Sequence, residues 1–267
     1  MIATEVVTHH RLAKAALDAG KHVFIEKPLA HSTGEAEDLA ILAKLKKRVL
    51  AVGHVFLYNP AIQAMKAALG GKELGRLLYV DMARINPGPP APKHDVIWDM
   101  APHDAALALH LAGKALAVRA TGKRWLNKKL DEAAFIELEH AKNVLSRIHV
   151  GWLSSRKIRR VEAYAERGSA FFDDMEPNEK LRLVLAGKDT RVGAKDTATH
   201  ALYYAQGETR VPDLPKDEPL KTECCDFLAC IRDGKEPLSG AKIAVDVVRV
   251  LEAAYQSAAA GGKRIKI

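Results

Sequence analysis

Short apolar runs alternate with helix-period stretches through the first 53 residues, and this alternation limits the possible folds more than any other feature of the chain. Ile2-Ala3-Thr4 has the character of the end of a buried strand. Thr8 is placed to cap a helix over residues 9–19, with Leu12, Ala13, Ala16 and Leu17 on its apolar side and Gly20 closing it. His22-Val23-Phe24-Ile25 reads as a short buried strand. Ser32 and Glu35 form a capping-box pattern ahead of Ala36, Leu39, Ala40 and Ala43 at helical spacing. Val49-Leu50-Ala51-Val52 is another short strand, ending at Gly53-His54. Strand, helix, strand, helix and strand with short connections make one βαβαβ unit of a parallel sheet.

The texture then changes. Asn59-Pro60 starts a helix that Gly70-Gly71 stops, and Leu77 to Ile85 alternates as a longer strand. Pro87, Pro89, Pro90 and Pro92 punctuate a loop, and a short helix is predicted from Pro102 to Leu111. Six strand-like runs follow without helices between them: 117–122, 133–140, 144–153, 161–166, 170–173 and 181–185. Consecutive strands of this kind predict a large open, mostly antiparallel sheet in an α+β domain. Two helices close the chain. Thr222 is expected to cap the first, with Cys224, Phe227, Leu228 and Ile231 inward. The second carries Ala241, Ala244, Val245, Val248, Leu251 and Tyr255 on one side. The predicted division is 1–58 and 59–267.

Composition excludes several classes. A chain of 267 residues, 48% hydrophobic and 28% charged, can bury a sizeable core and is not of the disordered type. No apolar run approaches a membrane span. His9, His10 and Arg11 stand where a signal peptide would be apolar, and Cys224, Cys225 and Cys230 match neither a zinc site nor a disulfide framework. A cytoplasmic protein with reduced thiols is expected. The formal charge of +8 is scattered, with one dense run at Arg156-Lys157-Ile158-Arg159-Arg160 and no interleaved aromatics, so nucleic acid is not the expected partner. A substrate diphosphate could meet that run, and a solvated strand end is the plainer account of it.

Two stretches can carry chemistry. Glu26-Lys27-Pro28-Leu29 sets a lysine between a carboxylate and a rigid proline just past a strand's carboxyl end, where open α/β sheets bind ligands. A surface lysine in an ordinary turn is the alternative. Trp98-Asp99-Met100-Ala101-Pro102-His103-Asp104 places a carboxylate four residues before an imidazole, a spacing that can bring both to one side of a helix start. A carboxylate there would fix the ring's tautomer and raise its basicity. Alternatively Asp99 caps the helix and His103 is a first-turn residue.

IATEVVTHH, AGKHVFIEKPLA, VGHVFLYNPA, ELGRLLYVDMAR and WDMAPHD, in this order, resemble the Gfo/Idh/MocA family of NAD(P)-dependent oxidoreductases. The likeness runs into Gly151-Trp152-Leu153 and FLACIRDGKEPLSG. EKP alone is weak; EKP, then GHxxxxNP, then DxxxHD at these separations is specific. The resemblance implies a Rossmann cofactor domain, a C-terminal domain on a large open sheet, NAD or NADP, and a sugar, polyol or nucleotide-sugar substrate. It implies a homo-dimer or homo-tetramer through that sheet. Matched to the motifs, Lys27, Asp99 and His103 are the catalytic set. Thr4, His9, Glu26 and Lys27 line the cofactor's nicotinamide side, while Lys27, Asn59, Arg84 and His103 face the substrate. Asn59 as a helix cap and Arg84 in a strand-end salt bridge are the competing readings. His54 sits in the GHxxxxNP turn beside Asn59; His94, His110 and His149 lack companion ligands, and no metal is expected.

One departure stands out. A dinucleotide fold opens on a glycine-rich turn, and the chain has no GxGxxG after an early strand. Met1 falls where the family is already in the fourth strand of its sheet, so residues 1–58 are expected to be the C-terminal half of a Rossmann domain. The absent half would be roughly 60–80 residues by the size of such units. A late start in the gene model is the favoured account. The rival is a truncated, non-catalytic relative serving as an oligomerisation or regulatory subunit.

Overall fold

In the computed structural model, which describes residues 1–71, 73–88, 94–186 and 207–267, two sheets are present. The loop prolines Pro89, Pro90 and Pro92 lie outside the described residues. The first sheet pairs β1 (Val23–Ile25) with β2 (Leu50–Val52) in parallel, and Ile2 bridges the outer side of β1. Between them run α1 (Val6–Asp18), which precedes β1, and α2 (Thr33–Leu45), which connects it to β2. Both strands are wholly buried three-residue runs, as short parallel strands covered on both faces must be. Ser32 caps α2 by accepting from the Glu35 amide, as its sequence predicts, although the Glu35 carboxylate returns to the amide of His31.

A short 3-10 turn over Val55–Tyr58 leads to α3 (Pro60–Gly70), and then the second sheet begins. Its strands are β3 (Leu77–Ile85), β4 (Ala115–Lys123), β5 (Ala133–His140), β6 (Val144–Gly151), β7 (Ile158–Ala165), β8 (Gly168–Asp173), β9 (Leu181–Leu185), β10 (Thr209–Arg210) and β11 (Ile265–Lys266). Their spatial order is β10-β9-β8-β7-β3-β6-β5-β4-β11, and every pair is antiparallel except β3 with β6. The remaining helices are α4 (Val96–Ala112), α5 (Pro219–Asp233) and α6 (Ala241–Ala259). The sheet packs against α4 and α6, and α6 also reaches α2 and β2. One continuous core therefore joins both sheets.

Four local expectations are corrected. Helix α1 starts at Val6 after Glu5, and the Thr8 hydroxyl donates to the Glu5 carbonyl instead of capping. Helix α4 starts six residues earlier than Pro102, capped by Asp95, whose carboxylate accepts from the amides of Ile97 and Trp98. Pro102 thus sits inside a helix that is buried over most of its length, where packing offsets the lost hydrogen bond. Helix α5 starts at Pro219, and its inward residues are Glu223 and Cys230, with Cys224 and Leu228 exposed. Tyr255 on α6 is half exposed.

The tie between α4 and the middle of the large sheet is ionic. Arg84 on β3 shares a face with Val80 and Met82, and it extends Nε and Nη2 to the two carboxylate oxygens of Asp104 at 2.6 and 3.3 Å. Both side chains are almost fully buried, at 6% and 2% exposure. Removing one partner strands a charge in the interior, at about 3–5 kcal/mol, whereas replacing both with apolar groups is close to neutral. Asp104→Ala is accordingly expected to lose about 3–5 kcal/mol in urea unfolding, and Arg84→Met/Asp104→Leu to recover most of it. A double variant as unstable as the single would mean that packing, not charge, governs this contact.

Candidate active site

The Glu26-Lys27-Pro28 turn leaves the carboxyl end of β1 and meets α4. The Lys27–Pro28 peptide is cis. His9 braces the turn from α1: one ring nitrogen lies 2.8 Å from the Pro28 carbonyl and the other 3.0 Å from the Thr4 carbonyl. Beyond the turn, His31 stacks on Trp98 of α4 with ring centroids 4.7 Å apart. These contacts aim the lysine at one point. Its Nζ donates to the backbone carbonyl of Asp99 at 2.7 Å. Pro102 has no amide for the Trp98 carbonyl, and the Asp99 carbonyl that Lys27 reaches is the next one along α4.

His103 follows one helical turn after Asp99. Its ring is half buried and lies edge-on to Phe56 of the 3-10 turn, 5.3 Å between centroids. Nδ1 is sealed and has no hydrogen-bond partner among the described residues. Burial holds the imidazole well below the ordinary histidine value, and Arg84, Lys27, His54 and Arg159 add to the lowering in that order. Burial also pulls the Lys27 ammonium down. Asp99 and Glu26 pull it back up, and Arg84 works against them. The lysine and the imidazole thus share one site and act on each other through charge.

The expected carboxylate–imidazole contact is absent. The Asp99 side chain is exposed, and its Oδ2 accepts from Trp152 Nε1 at 3.1 Å instead. Trp152 is held by the Asn86-Pro87-Gly88 stretch, where Gly88 donates to its carbonyl at 3.0 Å. A Cβ on Gly88 would stand 2.6 Å from the Cβ of Trp152, so this close approach requires glycine. Arg84 is in the buried pair with Asp104, with its guanidinium carbon 4.4 Å from the Phe56 ring centre. Asn59 caps α3, its Oδ1 accepting from the Ala61 amide at 2.9 Å. Thr4 is exposed, and its hydroxyl is 2.7 Å from that of Thr8. No hydrogen bond among the described residues reaches the Glu26 carboxylate, which lies within range of Lys27 and Glu223.

Two members of this neighbourhood carry no role in the sequence reading. His54, just past β2, is 1% exposed, and both ring nitrogens are sealed without partners among the described residues. Burial, and then Lys27, lowers its pKa to about 3. Glu223 of α5 is equally buried, and its two carboxyl oxygens are sealed without a partner among the described residues. Burial first, and the Glu26 charge second, push it up to about 8, while the Ser239 hydroxyl and the His54 backbone pull weakly the other way. The GH dipeptide marks His54 in the sequence. Nothing marks Glu223, because its neighbours Glu26 and His54 come from a distant part of the chain. No group of three His, Cys, Asp or Glu side chains among the described residues is placed to hold a metal ion.

The Glu223 shift has a sign for stability. Between 4.5, its ordinary value, and about 8 the folded state keeps a proton that the unfolded chain releases, so this group makes stability fall as pH rises through that window. Glu223→Gln removes the effect. Its advantage in Tm over the parent is expected to grow between pH 5 and pH 8, by on the order of 2–4 °C for each kcal/mol relieved in a chain of this size. A difference that stays flat across that range in a melting series would show Glu223 ionised in the folded protein.

Comparison with known proteins identifies the family. Residues 1–54 match the model described as "Oxidoreductase family, NAD-binding Rossmann fold", and residues 62–171 match the "GFO/IDH/MocA C-terminal domain". The chain is 30% identical over 233 residues to UDP-N-acetylglucosamine 3-dehydrogenase of Acidithiobacillus ferrooxidans, covering 86% of this chain and 69% of that enzyme. A crystal structure of that dehydrogenase superposes with a TM-score of 0.80 at 28% identity, over 97% of this chain and 77% of the other. An uncharacterised oxidoreductase of Escherichia coli, YdgJ, is 27% identical over 97% of this chain and 78% of its own. In fold alone, the inositol dehydrogenase homologue of Azotobacter vinelandii, solved with NADH and myo-inositol, is similar at TM-score 0.80 and 21% identity, over 99% of this chain and 76% of that one. The chain is a member of the Gfo/Idh/MocA family of NAD(P)-dependent oxidoreductases.

Proposed function

We propose that the chain interconverts a hydroxyl and a carbonyl on a sugar, polyol or nucleotide-sugar, with Lys27 and His103 as its catalytic residues and NAD or NADP as cofactor. The observation that carries this reading is the meeting of the Lys27 ammonium with the turn of α4 that bears His103, one half-buried imidazole beside one half-buried amine. The residues present fit the nicotinamide end of the cofactor. Glu26 offers an unbonded carboxylate at the carboxyl end of a parallel strand, suited to ribose hydroxyls, and Thr4 and Lys27 flank it. The sequence holds no glycine-rich strand-to-helix turn for a diphosphate.

A bound nicotinamide supplies the acceptor or donor of hydride; the chain's own groups handle the proton and the charge. In oxidation, neutral His103 takes the hydroxyl proton, and because Nδ1 is sealed the acceptor is Nε2. Burial first, and the cations around the ring second, keep it in the neutral form that a base needs. Lys27 Nζ stabilises negative charge on the reacting oxygen. Asp99 acts through its carbonyl, which aims Lys27, and through its carboxylate, which anchors Trp152. His9 fixes the EKP turn from behind, and Arg84 holds α4 and Phe56 beneath the imidazole. Residues 1–58 serve the cofactor in this reading and 59–267 the substrate.

The same reading makes the open face of the large sheet a self-association surface. There Tyr79 stacks on Tyr164 at 4.3 Å, Phe171 meets Tyr164 edge-on at 5.9 Å, and Phe135 stacks on His149 at 4.3 Å. Tyr79 and Phe135 remain more than 40% exposed, an apolar patch of the kind that marks an interface. Light scattering is expected to give a dimer or tetramer, and Tyr164→Glu to lower the mass; an unchanged mass would remove this face from the assembly.

Activity is tested by titrating the purified chain with NAD+ and NADP+ and following reduction with UDP-N-acetylglucosamine and myo-inositol. His103→Ala is expected to lower kcat by about 10²–10⁴-fold and Lys27→Met by about 10²–10³-fold, with folding intact by melting. A chain that binds neither cofactor yet assembles normally would replace this proposal with a non-catalytic role.

A further inference from the structure

Two arginines stand side by side on the helix-facing side of the large sheet. Arg84 on β3 and Arg159 on β7 are register partners, in the same column as Met82 with Val161 and Val80 with Ala163. Directly opposed like charges repel, so each needs its own compensation. Phe56 supplies part of it to both: the Arg84 guanidinium is 4.4 Å and that of Arg159 5.8 Å from its ring centre. The third neighbour of that ring is His103. Phe56 thus neighbours Arg159 as well as the imidazole.

The two guanidinia differ in what they hold. Arg84 has both arms on Asp104 and is 6% exposed. Arg159 makes a single long contact, Nη1 to Asp174 at 3.3 Å; its Nε is sealed without a partner among the described residues, and its side chain is 30% exposed. Asp174 is divided further, since Lys180 also lies on it at 3.5 Å. Two cations share one carboxylate, and a charge beside the imidazole is left without a full counterpart. A half-desolvated guanidinium with open donors binds planar oxyanions better than it binds water. Lys180 in turn lines a cavity of about 530 Å³ with Asn59, Lys216, Asp213 and Asp217.

We propose that Arg159 is the specificity residue of this site: its guanidinium receives an anionic group, a phosphate or a carboxylate, carried by the alcohol substrate. The proposal rests on the oxidoreductase reading and deepens it by naming a substrate class, and it places the anion beside Phe56, the ring that also meets the imidazole. A neutral polyol leaves Arg159 unanswered; a sugar phosphate, a sugar acid or a nucleotide-sugar answers it.

The test is binding without turnover. By calorimetry at low ionic strength, glucose 6-phosphate, glucuronate and glucose are titrated into the parent chain and into Arg159→Met, Arg159→Lys and Lys157→Ala. At least one of the two anionic sugars is expected to bind tenfold or more tighter than glucose, and which of them does so separates phosphate from carboxylate. Arg159→Met should abolish that difference and Arg159→Lys keep part of it, with Lys157→Ala unchanged. Equal binding of all three sugars by the parent, or a preference that survives Arg159→Met, overturns the proposal. If the methionine variant does not fold, an undiminished preference in Arg159→Lys overturns it equally. Because no turnover is read, this failure would leave the dehydrogenase reading standing, and a failure to reduce NAD+ with any alcohol would fall on that reading alone.

Discussion

The hydrogen bond from Lys27 Nζ to the Asp99 carbonyl is the joint between the two halves of this molecule's chemistry. One side of it is the end of a three-residue parallel strand, the other a helix laid across a nine-stranded sheet. Neither element alone makes a site. The lysine needs a fixed acceptor so that its charge stays at one point, and a backbone carbonyl of α4 provides one without using a side chain. His9 and the stacked pair of His31 and Trp98 hold the geometry from two directions. Chemistry placed on rigid elements in this way needs little reorganisation when a substrate arrives.

The cost of the arrangement is visible in the groups left without partners. His54, His103 and Glu223 carry sealed polar atoms without hydrogen-bond partners among the described residues; Lys27 lies within charge range of both histidines, and Glu26 within range of Glu223. Elsewhere in the described core, buried polar groups such as Ser146, His140 and Ser257 are hydrogen-bonded. Most folds tolerate a few unsatisfied groups, and their concentration at one place follows from function more readily than from stability. Desolvation pushes the histidines toward neutral and the glutamate toward the acid form, so the interior beneath Lys27 sheds charge and the amine stays the dominant one.

Much of this was legible from the residues, and the failures have physical causes. Period-two alternation placed β3, β5 and β9 on their observed residues, because strands half-buried on a common sheet write their two faces into the sequence. The lysine and the imidazole were read from motif spacing. The start of α4 was misplaced because proline usually opens a helix, whereas here tertiary packing holds it in the interior. The inward side of α5 was misread by one residue, about 100° of helix rotation: Glu223 is buried and Cys224 exposed. A carboxylate ranks as a surface residue until its distant neighbours are known. Arg84 and Asn59 were left between two readings, and in the fold both satisfy the structural one.

The contrast between Arg84 and Arg159 shows why register matters to chemistry. A one-residue slip of β7 against β3 would turn Arg159 to the open face and bring Arg160 or Ile158 beside Phe56. Arg160 now faces the open side, 3.6 Å from Glu162, an ordinary surface pair. Within the basic run at 156–160 only one residue therefore combines a helix-facing position, an aromatic ring beneath it and an incomplete set of ion-pair contacts. Net charge could not have singled it out, since its neighbours in sequence carry the same sign. The strand's two-residue period selects Arg159, and the half-shared Asp174 leaves its charge available.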